Sequence, residues 1–416
     1  MSSIKTILKN LGPGLLFASM AIGTSHLVLS TKAGAQYGWV MVIPIILANV
    51  LKYPFFEFGV RYTSVTNKTL IEGYLNRGKG YLWFYAAITL LTTFTILAAL
   101  YTVTAGLFIN LFKITDSPIT TVALWLFIAI SAILIFGRYA FLEISLKFVV
   151  SILFVALVVT TVLVLLQGPV TPIPGFEPSP IFNEVGVLFL IGLMGWMPTT
   201  VEASSWVSLW SIEKWKQQEK PSLKESLQEF NIGYGITAIL AVFFMIIGWF
   251  TLYGTTIQLS DNSVNFADQV VRLFTEHIGA WAYIFIAISA FATMFSTCLT
   301  AHDAVARVSL DILDLLFPKT ALSGNKTAFA TGVLVLALIN FIVIAAFSAN
   351  MGNLVALATF VSFVVAPIIG YMNLKNVTST DLDPKYWPSK NLKLLTYAGI
   401  LFLSCFSLYY FYIVIF

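Results

Sequence analysis

Residues 12–38 read GPGLLFASMAIGTSHLVLSTKAGAQYG, and residues 185–210 read VGVLFLIGLMGWMPTTVEASSWVSLW. Each is long enough to cross a membrane and each is interrupted near its middle. In the first, Gly23, Thr24, Ser25 and His26 fall inside an apolar run. In the second, Gly192, Gly195 and Pro198 are followed by Thr199, Thr200, Glu202, Ser204 and Ser205. Proline removes a helix donor and glycine weakens the helix, so both spans are expected to break near mid-membrane. A break at that depth exposes amides and carbonyls that lipid cannot satisfy; it persists only where protein or a water-filled cavity supplies partners. Interrupted spans in each half of a chain, five spans apart, point to an inverted-repeat secondary transporter with its site between the broken helices.

The rest of the sequence agrees with a lipid solvent. Of 416 residues 58% are hydrophobic and only 10% charged, whereas a soluble domain carries about a quarter charged residues; a soluble enzyme is excluded. At roughly 20 apolar residues per crossing the length admits about ten to twelve helices. Apolar runs place about eleven spans, near 12–31, 39–59, 82–112, 119–137, 146–167, 184–210, 231–253, 281–306, 328–347, 352–374 and 393–415. The fold class is therefore all-α and polytopic. The first run follows a short basic head and continues at spanning length with no small-residue cleavage pattern, so it reads as a retained span. The stretch 211–230, SIEKWKQQEKPSLKESLQEF, reads as a cytoplasmic connector between two halves. Cys298 and Cys405 lie in apolar runs and suggest neither a disulfide frame nor a cysteine metal site. The GKG at Gly78–Gly80 lacks the spacing of a phosphate loop, which argues against an ATP-driven pump within this chain.

Several polar residues inside spans are candidates for chemistry, each with a plainer alternative. His26 could ligate a transition metal or carry a proton, or bond the backbone freed by the break. Glu202 sits about one turn beyond Pro198, favoured by a helix N-terminus; it is a candidate for cation binding or proton coupling, or a structural partner of Lys32, His26 or Lys52. Met197 offers a soft thioether or fills a gap. Lys52, Glu57 and Arg61 form a charged run, with Glu57 and Arg61 at ion-pair spacing; they read as a structural cluster or an internal gate, and Lys52 as a snorkelling group or a tethered cation. In the eighth span Ser296, Thr300 and Asp303 share a face, with Thr297 beside it. The hydroxyls of Ser296, Thr297 and Thr300 could complete a sodium site with carbonyls of the first break, or bond back to their own helix. Asp303 and Arg307 are spaced to pair.

The opening GPGLLFAS, the following AGAQYG (Ala33 to Gly38) and the Met197-Pro198 pair resemble the natural resistance-associated macrophage protein (NRAMP) family of proton-coupled divalent-metal transporters. The resemblance implies a leucine-transporter type of fold with discontinuous first and sixth helices. It further implies two inverted five-span repeats, about 12–167 and 184–374, with an additional helix at about 393–415, and alternating access. The departures are as informative as the matches. Where the family carries Asp-Pro-Gly-Asn this sequence has Gly23, Thr24, Ser25 and His26. The histidines that follow Met-Pro in the family fall on Thr199 and Ser204, and its tenth-span glutamine falls on Thr359. No Asp, Glu or His occurs between Leu82 and Phe112, so the family's metal chemistry and proton route do not carry over unchanged.

Two functions follow. One is a secondary transporter that still moves a divalent metal with His26, Met197 and Glu202 in place of the lost ligands. The other is the same scaffold moving a small organic solute held by Gly23, Thr24, Ser25, Thr199 and Thr200. A non-transporting sensor or intramembrane enzyme is a third class; Ser25 and His26, adjacent in sequence, make a poor nucleophile and base. No resident cofactor is expected, the coupling ion is H+ or Na+, and the partners are lipid and a small-molecule or metal-ion substrate, without nucleic acid.

Charge placement sets an orientation in the plasma (inner) membrane. Of the 23 Lys and Arg, Lys52 lies inside a span and Lys32 just beyond the end of one, and two, Lys113 and Arg272, fall in segments on one side. The remaining 19, from Lys5 and Lys9 through Arg138 and Lys147 to Lys393, fall on the other. Basic segments stay cytoplasmic, so the expected layout has the N-terminus inside and the C-terminus outside, and the net positive charge is topogenic. A cytoplasm-specific reporter fused near Lys216 is expected to be active and one fused after Phe416 inactive; activity at the C-terminus contradicts the layout.

Overall fold

The computed structural model describes residues 13–137, 139–216, 219–347 and 350–415. Lys5, Lys9 and Arg138 lie outside the described residues, as does the side chain of Lys147. The first half comprises α1 (Pro13–Ala21), a π-helical turn (Ser25–Ser30) that runs into α2 (Thr31–Tyr37), α3 (Val42–Thr66), α4 (Leu70–Arg77), α5 (Lys79–Phe112), α6 (Ile119–Phe136) and α7 (Tyr139–Gln167). The second half comprises α8 (Glu184–Gly195), α9 (Ala203–Trp215), α10 (Leu223–Leu252), α11 (Ser263–Ile278), α12 (Tyr283–Leu316), α13 (Lys326–Ala346) and α14 (Met351–Val377), and α15 (Lys390–Ile415) ends the chain. The order recurs. A broken span, a long helix, a short helix and three further long helices appear first in α1–α7 and again in α8–α14.

Each apolar segment read from the sequence falls on one of these helices or helix pairs. Among the described residues eight helical stretches are long and apolar enough to cross a membrane. The half-helices on either side of the second break, Glu184–Gly195 and Ala203–Trp215, are shorter. Large apolar side chains such as Leu90, Trp125, Leu338 and Leu401 are exposed on the outside, as a lipid-facing surface requires.

Two expectations need correction. The segment 211–230 does not join two halves but lies within the second, where α9 continues to Trp215 and α10 starts at Leu223, eight residues before the apolar run. Its start was legible, because Ser222 accepts from the Glu225 amide while the Glu225 carboxylate accepts from the Ser222 amide, a capping box that polar composition masks. Likewise α12 runs to Leu316 rather than stopping at 306.

The broken spans are held by close backbone contact. A Cβ on Gly34 would lie 1.9 Å from the Met245 carbonyl oxygen, and one on Gly248 2.1 Å from that of Thr31. These glycines let α2 and α10 touch along their backbones, the small-residue packing that membrane helices use where no hydrophobic drive joins them. α12 lies across α5 and also meets α1, while α14 packs on α8 and α5. Both breaks are thereby enclosed by intact helices.

Candidate functional site

At the first break the helix ends because its donors are redirected. The Ile22 amide still bonds the Ala18 carbonyl, but the Gly23 amide turns to Ala21, and the chain resumes with the amides of His26 and Leu27 on the Gly23 carbonyl. At the second, α8 ends at Gly195 and α9 begins at Ala203, with a cis peptide at Met197-Pro198 between them. The breaks touch: the Ser25 hydroxyl lies 3.0 Å from the Ala21 carbonyl oxygen and 3.3 Å from that of Pro198.

Lys52 decides the electrostatics of the second break. It is fully buried, and its Nζ donates to the carbonyls of Met194 (3.0 Å), Gly195 (2.8 Å) and Thr199 (3.0 Å). An ammonium has three donors, and all three are engaged by the carbonyls that the break exposes. The C-terminus of a helix also carries partial negative charge, so the end of α8 is met by a cation built into α3. Lys52 is therefore not part of the Glu57–Arg61 cluster. That pair lies within α3, with Arg61 Nε 3.1 Å from both Glu57 oxygens and its Nη1 donating to the Tyr386 carbonyl at 2.8 Å.

Between the breaks lies a cavity of about 20 Å³, room for about one water-sized group. Its polar lining is Thr24, Ser25, Thr199, Thr200 and Thr297, walled by Trp196 and Trp206. Four of these hydroxyl residues stand where the sequence places the substrate. Gly23 adjoins them, with Thr297 so near that a Cβ there would sit 2.9 Å from its methyl carbon. The indoles and the apolar lining of Met20, Ile96 and Leu100 were not legible, because aromatic and aliphatic residues in a span look alike whether they face a cavity or a neighbour.

Other candidates point elsewhere. His26 is buried but does not line the cavity. Its Nε2 donates to the Thr237 carbonyl (2.9 Å) and its Nδ1 lies 2.7 Å from Ser25 Oγ, so both nitrogens are engaged and the ring pins the break to α10. Met197 is fully buried behind the cavity lining. Glu202 is buried at the start of α9; one carboxylate oxygen accepts from the Thr200 hydroxyl, and Oε1 has no hydrogen-bond partner among the described residues. Thr300 bonds back to the Ser296 carbonyl at 2.8 Å and Thr359 to that of Val355 at 2.7 Å, while Thr359 packs against Gly192 and Gly195 of α8. Asp303 pairs with Arg307 as its spacing foretold and also accepts from the Trp210 indole at 3.1 Å. Lys32 pairs with Asp261 at 2.5 Å rather than with Glu202. Among the described residues no group of three His, Cys, Asp or Glu is arranged to hold a metal ion.

With this geometry in hand, comparison with known proteins is decisive on kinship. A family model described as natural resistance-associated macrophage protein-like (Nramp) matches residues 14–412. The chain belongs to the Nramp family. An uncharacterized protein of Pasteurella multocida (strain Pm70) is 33% identical over 404 residues, 96% of this chain and 90% of its own length. Among solved structures, a manganese transporter mutant from Eremococcus coleocola aligns with a TM-score of 0.73 at 14% identity, covering 98% of this chain and 87% of that one. A nucleobase-cation-symport-1 family transporter in a closed conformation aligns at 0.60 and 14% identity, covering 97% and 89%. This Nramp-family chain is thus a multi-pass integral membrane protein of leucine-transporter type fold and a secondary active transporter, not an enzyme.

If the ammonium holds the second break, Lys52→Met leaves three buried carbonyls without a donor. Hydrogen bonds to a charged group contribute about 1.5–3 kcal/mol each, so the thermal unfolding midpoint of the purified protein should fall by several degrees or the protein fail to accumulate. An unchanged midpoint shows that the break does not depend on Lys52.

Proposed function

We propose that this Nramp-family transporter carries a small polar organic solute, neutral or anionic, through the cavity between its two breaks. The observation that carries this reading is the Lys52 ammonium on the carbonyls of Met194, Gly195 and Thr199. Thr199 also lines the cavity, so a cation bound there would sit close to the Lys52 ammonium. Two unit charges 4 Å apart repel by about 4 kcal/mol at an effective dielectric constant of roughly 20, and a divalent ion doubles that. The Glu202 carboxylate, which accepts from the Thr200 hydroxyl of the cavity lining, stands behind that wall and leaves the lining itself without a carboxylate. Hydroxyls that donate and accept, flanked by indole faces, suit a solute with hydrogen-bonding groups, and the nearby ammonium favours one bearing negative charge. The cavity is smaller than any such solute, so loading requires the segments around the breaks to part, as alternating access implies.

Metal-ion transport is the second reading. It is favoured by the fold shared with the Eremococcus coleocola manganese transporter and by Met197, a soft thioether buried beside the break. In either reading two inverted repeats, about 12–167 and 184–374, rock against each other with α15 outside them. The charge distribution supports a cytoplasmic N-terminus, and H+ or Na+ drives uptake.

Uptake into proteoliposomes separates the readings. A panel of labelled amino acids, carboxylic acids and neutral solutes is run beside Mn2+, Zn2+ and Mg2+. Saturable accumulation of an organic solute, lost in Ser25→Ala and Thr200→Val, with metal uptake at the level of empty liposomes, is the expected result. Saturable Mn2+ uptake that Met197→Ala removes, with no organic solute accumulated, overturns it in favour of metal.

A further inference from the structure

We propose that a groove between α3 and α10, at the end of the molecule that carries most of the basic residues, holds the headgroup phosphate of an anionic phospholipid from the surrounding bilayer; this is independent of which solute is carried. The groove has a volume of about 720 Å³ and is walled by Ser64 and Val65 of α3, by the first turns of α10, and by Tyr386 of the segment before α15. It shares no residue with the cavity between the breaks.

Three features of its walls converge on an anion. Ser64 is 7% exposed and its hydroxyl has no hydrogen-bond partner among the described residues. A helical hydroxyl can bond the carbonyl one turn earlier, as Thr66 does to Tyr62 at 2.7 Å, but Ser64 does not. A buried hydroxyl left in this state is costly, so a group in the groove that accepts its proton gains by binding. On the facing helix, α10 begins with a capping box that commits the Ser222 hydroxyl to the Glu225 amide. The amides of Leu223 and Lys224 have no intrahelical acceptor, and such a helix end favours an anion. Lys224 is the only charged residue among those that line the groove. The neighbouring charges are already engaged: Arg61 with Glu57, Lys385 with Asp383, and the Glu225 carboxylate with the Ser222 amide and hydroxyl.

The remaining walls identify the source of the anion. Val65, Leu223 and Leu227 place apolar surface beside the polar groups, which an acyl chain covers and a free phosphate does not. The groove also lies where two spans leave lipid, since the apolar run of α10 begins at residue 231 and α3 carries its Glu57–Arg61 pair just before Ser64. Lysines at a membrane surface attract anionic headgroups. Gln228 and Asn231 complete the lining; Asn231 Oδ1 accepts from the Tyr53 hydroxyl at 2.7 Å, so its Nδ2 is a donor for the hydroxyls of a glycerol headgroup. A zwitterionic headgroup brings an ammonium for which the lining has no carboxylate. The occupant that fits is phosphatidylglycerol, with its phosphate at Lys224, the start of α10 and Ser64. Bound there, it bridges α3 of the first half and α10 of the second.

The test is binding of phosphatidylglycerol to the purified full-length protein in detergent, read as lipid adducts by native mass spectrometry and as the rise in thermal midpoint on adding lipid, beside phosphatidylcholine with the same acyl chains. The parent is expected to prefer phosphatidylglycerol, and Lys224→Gln to lower that preference about fivefold, the effect of one lysine at a membrane surface. Ser64→Ala removes a hydroxyl that has no partner among the described residues, so it should leave the lipid-free midpoint unchanged while weakening phosphatidylglycerol binding severalfold. Lys319→Gln alters an exposed lysine outside the groove and should leave binding as in the parent. Equal binding of the two lipids by the parent overturns the proposal. So does a preference that both Lys224→Gln and Ser64→Ala retain, or one that Lys319→Gln lowers as much as Lys224→Gln. Inorganic phosphate and glycerol phosphate, added without lipid, form the second arm: a rise in midpoint equal to that given by phosphatidylglycerol, and lost in Lys224→Gln, assigns the groove to a soluble anion and overturns the lipid.

Discussion

Lipid offers no partner to the carbonyls and amides of a broken helix, so a chain that interrupts two of its spans must supply those partners from within. Here the second interruption is met by one side chain. Lys52 crosses from α3 and places its ammonium on three carbonyls at the end of α8, compensating both the missing hydrogen bonds and the helix-end charge. The first interruption is met by neutral groups. His26 holds it to the Thr237 carbonyl, with Ser25 Oγ on the other ring nitrogen, and Thr297 bonds the Ser19 carbonyl. Charge on one side and hydroxyls on the other give the site its character.

The surrounding scaffold serves these contacts. Gly34 and Gly248 bring α2 and α10 into backbone contact, which holds the second part of the first broken span while its first part, α1, leans on α12. Asp303 joins α12 to α9 by accepting from the Trp210 indole, and Arg307 one turn on pairs with the same carboxylate. Glu202 is buried at the start of α9 with one oxygen on the Thr200 hydroxyl and the other without a hydrogen-bond partner among the described residues. Motion between states must therefore break few bonds in the intact helices and several at the interruptions, which is where alternating access places it.

The fold was largely legible because its cause is local. Gly192, Gly195 and Pro198 in one apolar run, and Gly23 to His26 in another, announce breaks that no water can heal, and spacing alone placed the remaining spans. Less of the site was legible. Thr24, Ser25, Thr199 and Thr200 were singled out because hydroxyls in a span are conspicuous, and all four line the cavity, whereas Trp196 and Trp206 passed unnoticed as ordinary span residues. His26 was singled out for its chemistry, but sequence carries no information on which way a ring turns, and its nitrogens face Thr237 and Ser25. Lys52 could be seen to lie deep but not to reach a helix more than a hundred residues away, because that contact depends on the packing of α3 against α8. Thr300 and Thr359 bond within their own helices and do not line the cavity.

The central point, that a lysine fills the place at the second break where a cation would be expected to bind, is open to direct view. Crystals of the protein grown with excess manganese, measured at the manganese absorption edge, report the ion by its anomalous signal. The expected map shows the Lys52 side chain on the carbonyls of Met194, Gly195 and Thr199 and no anomalous peak at the break. A peak coordinated by the Met197 thioether and one of those carbonyls, with Lys52 displaced, would contradict it.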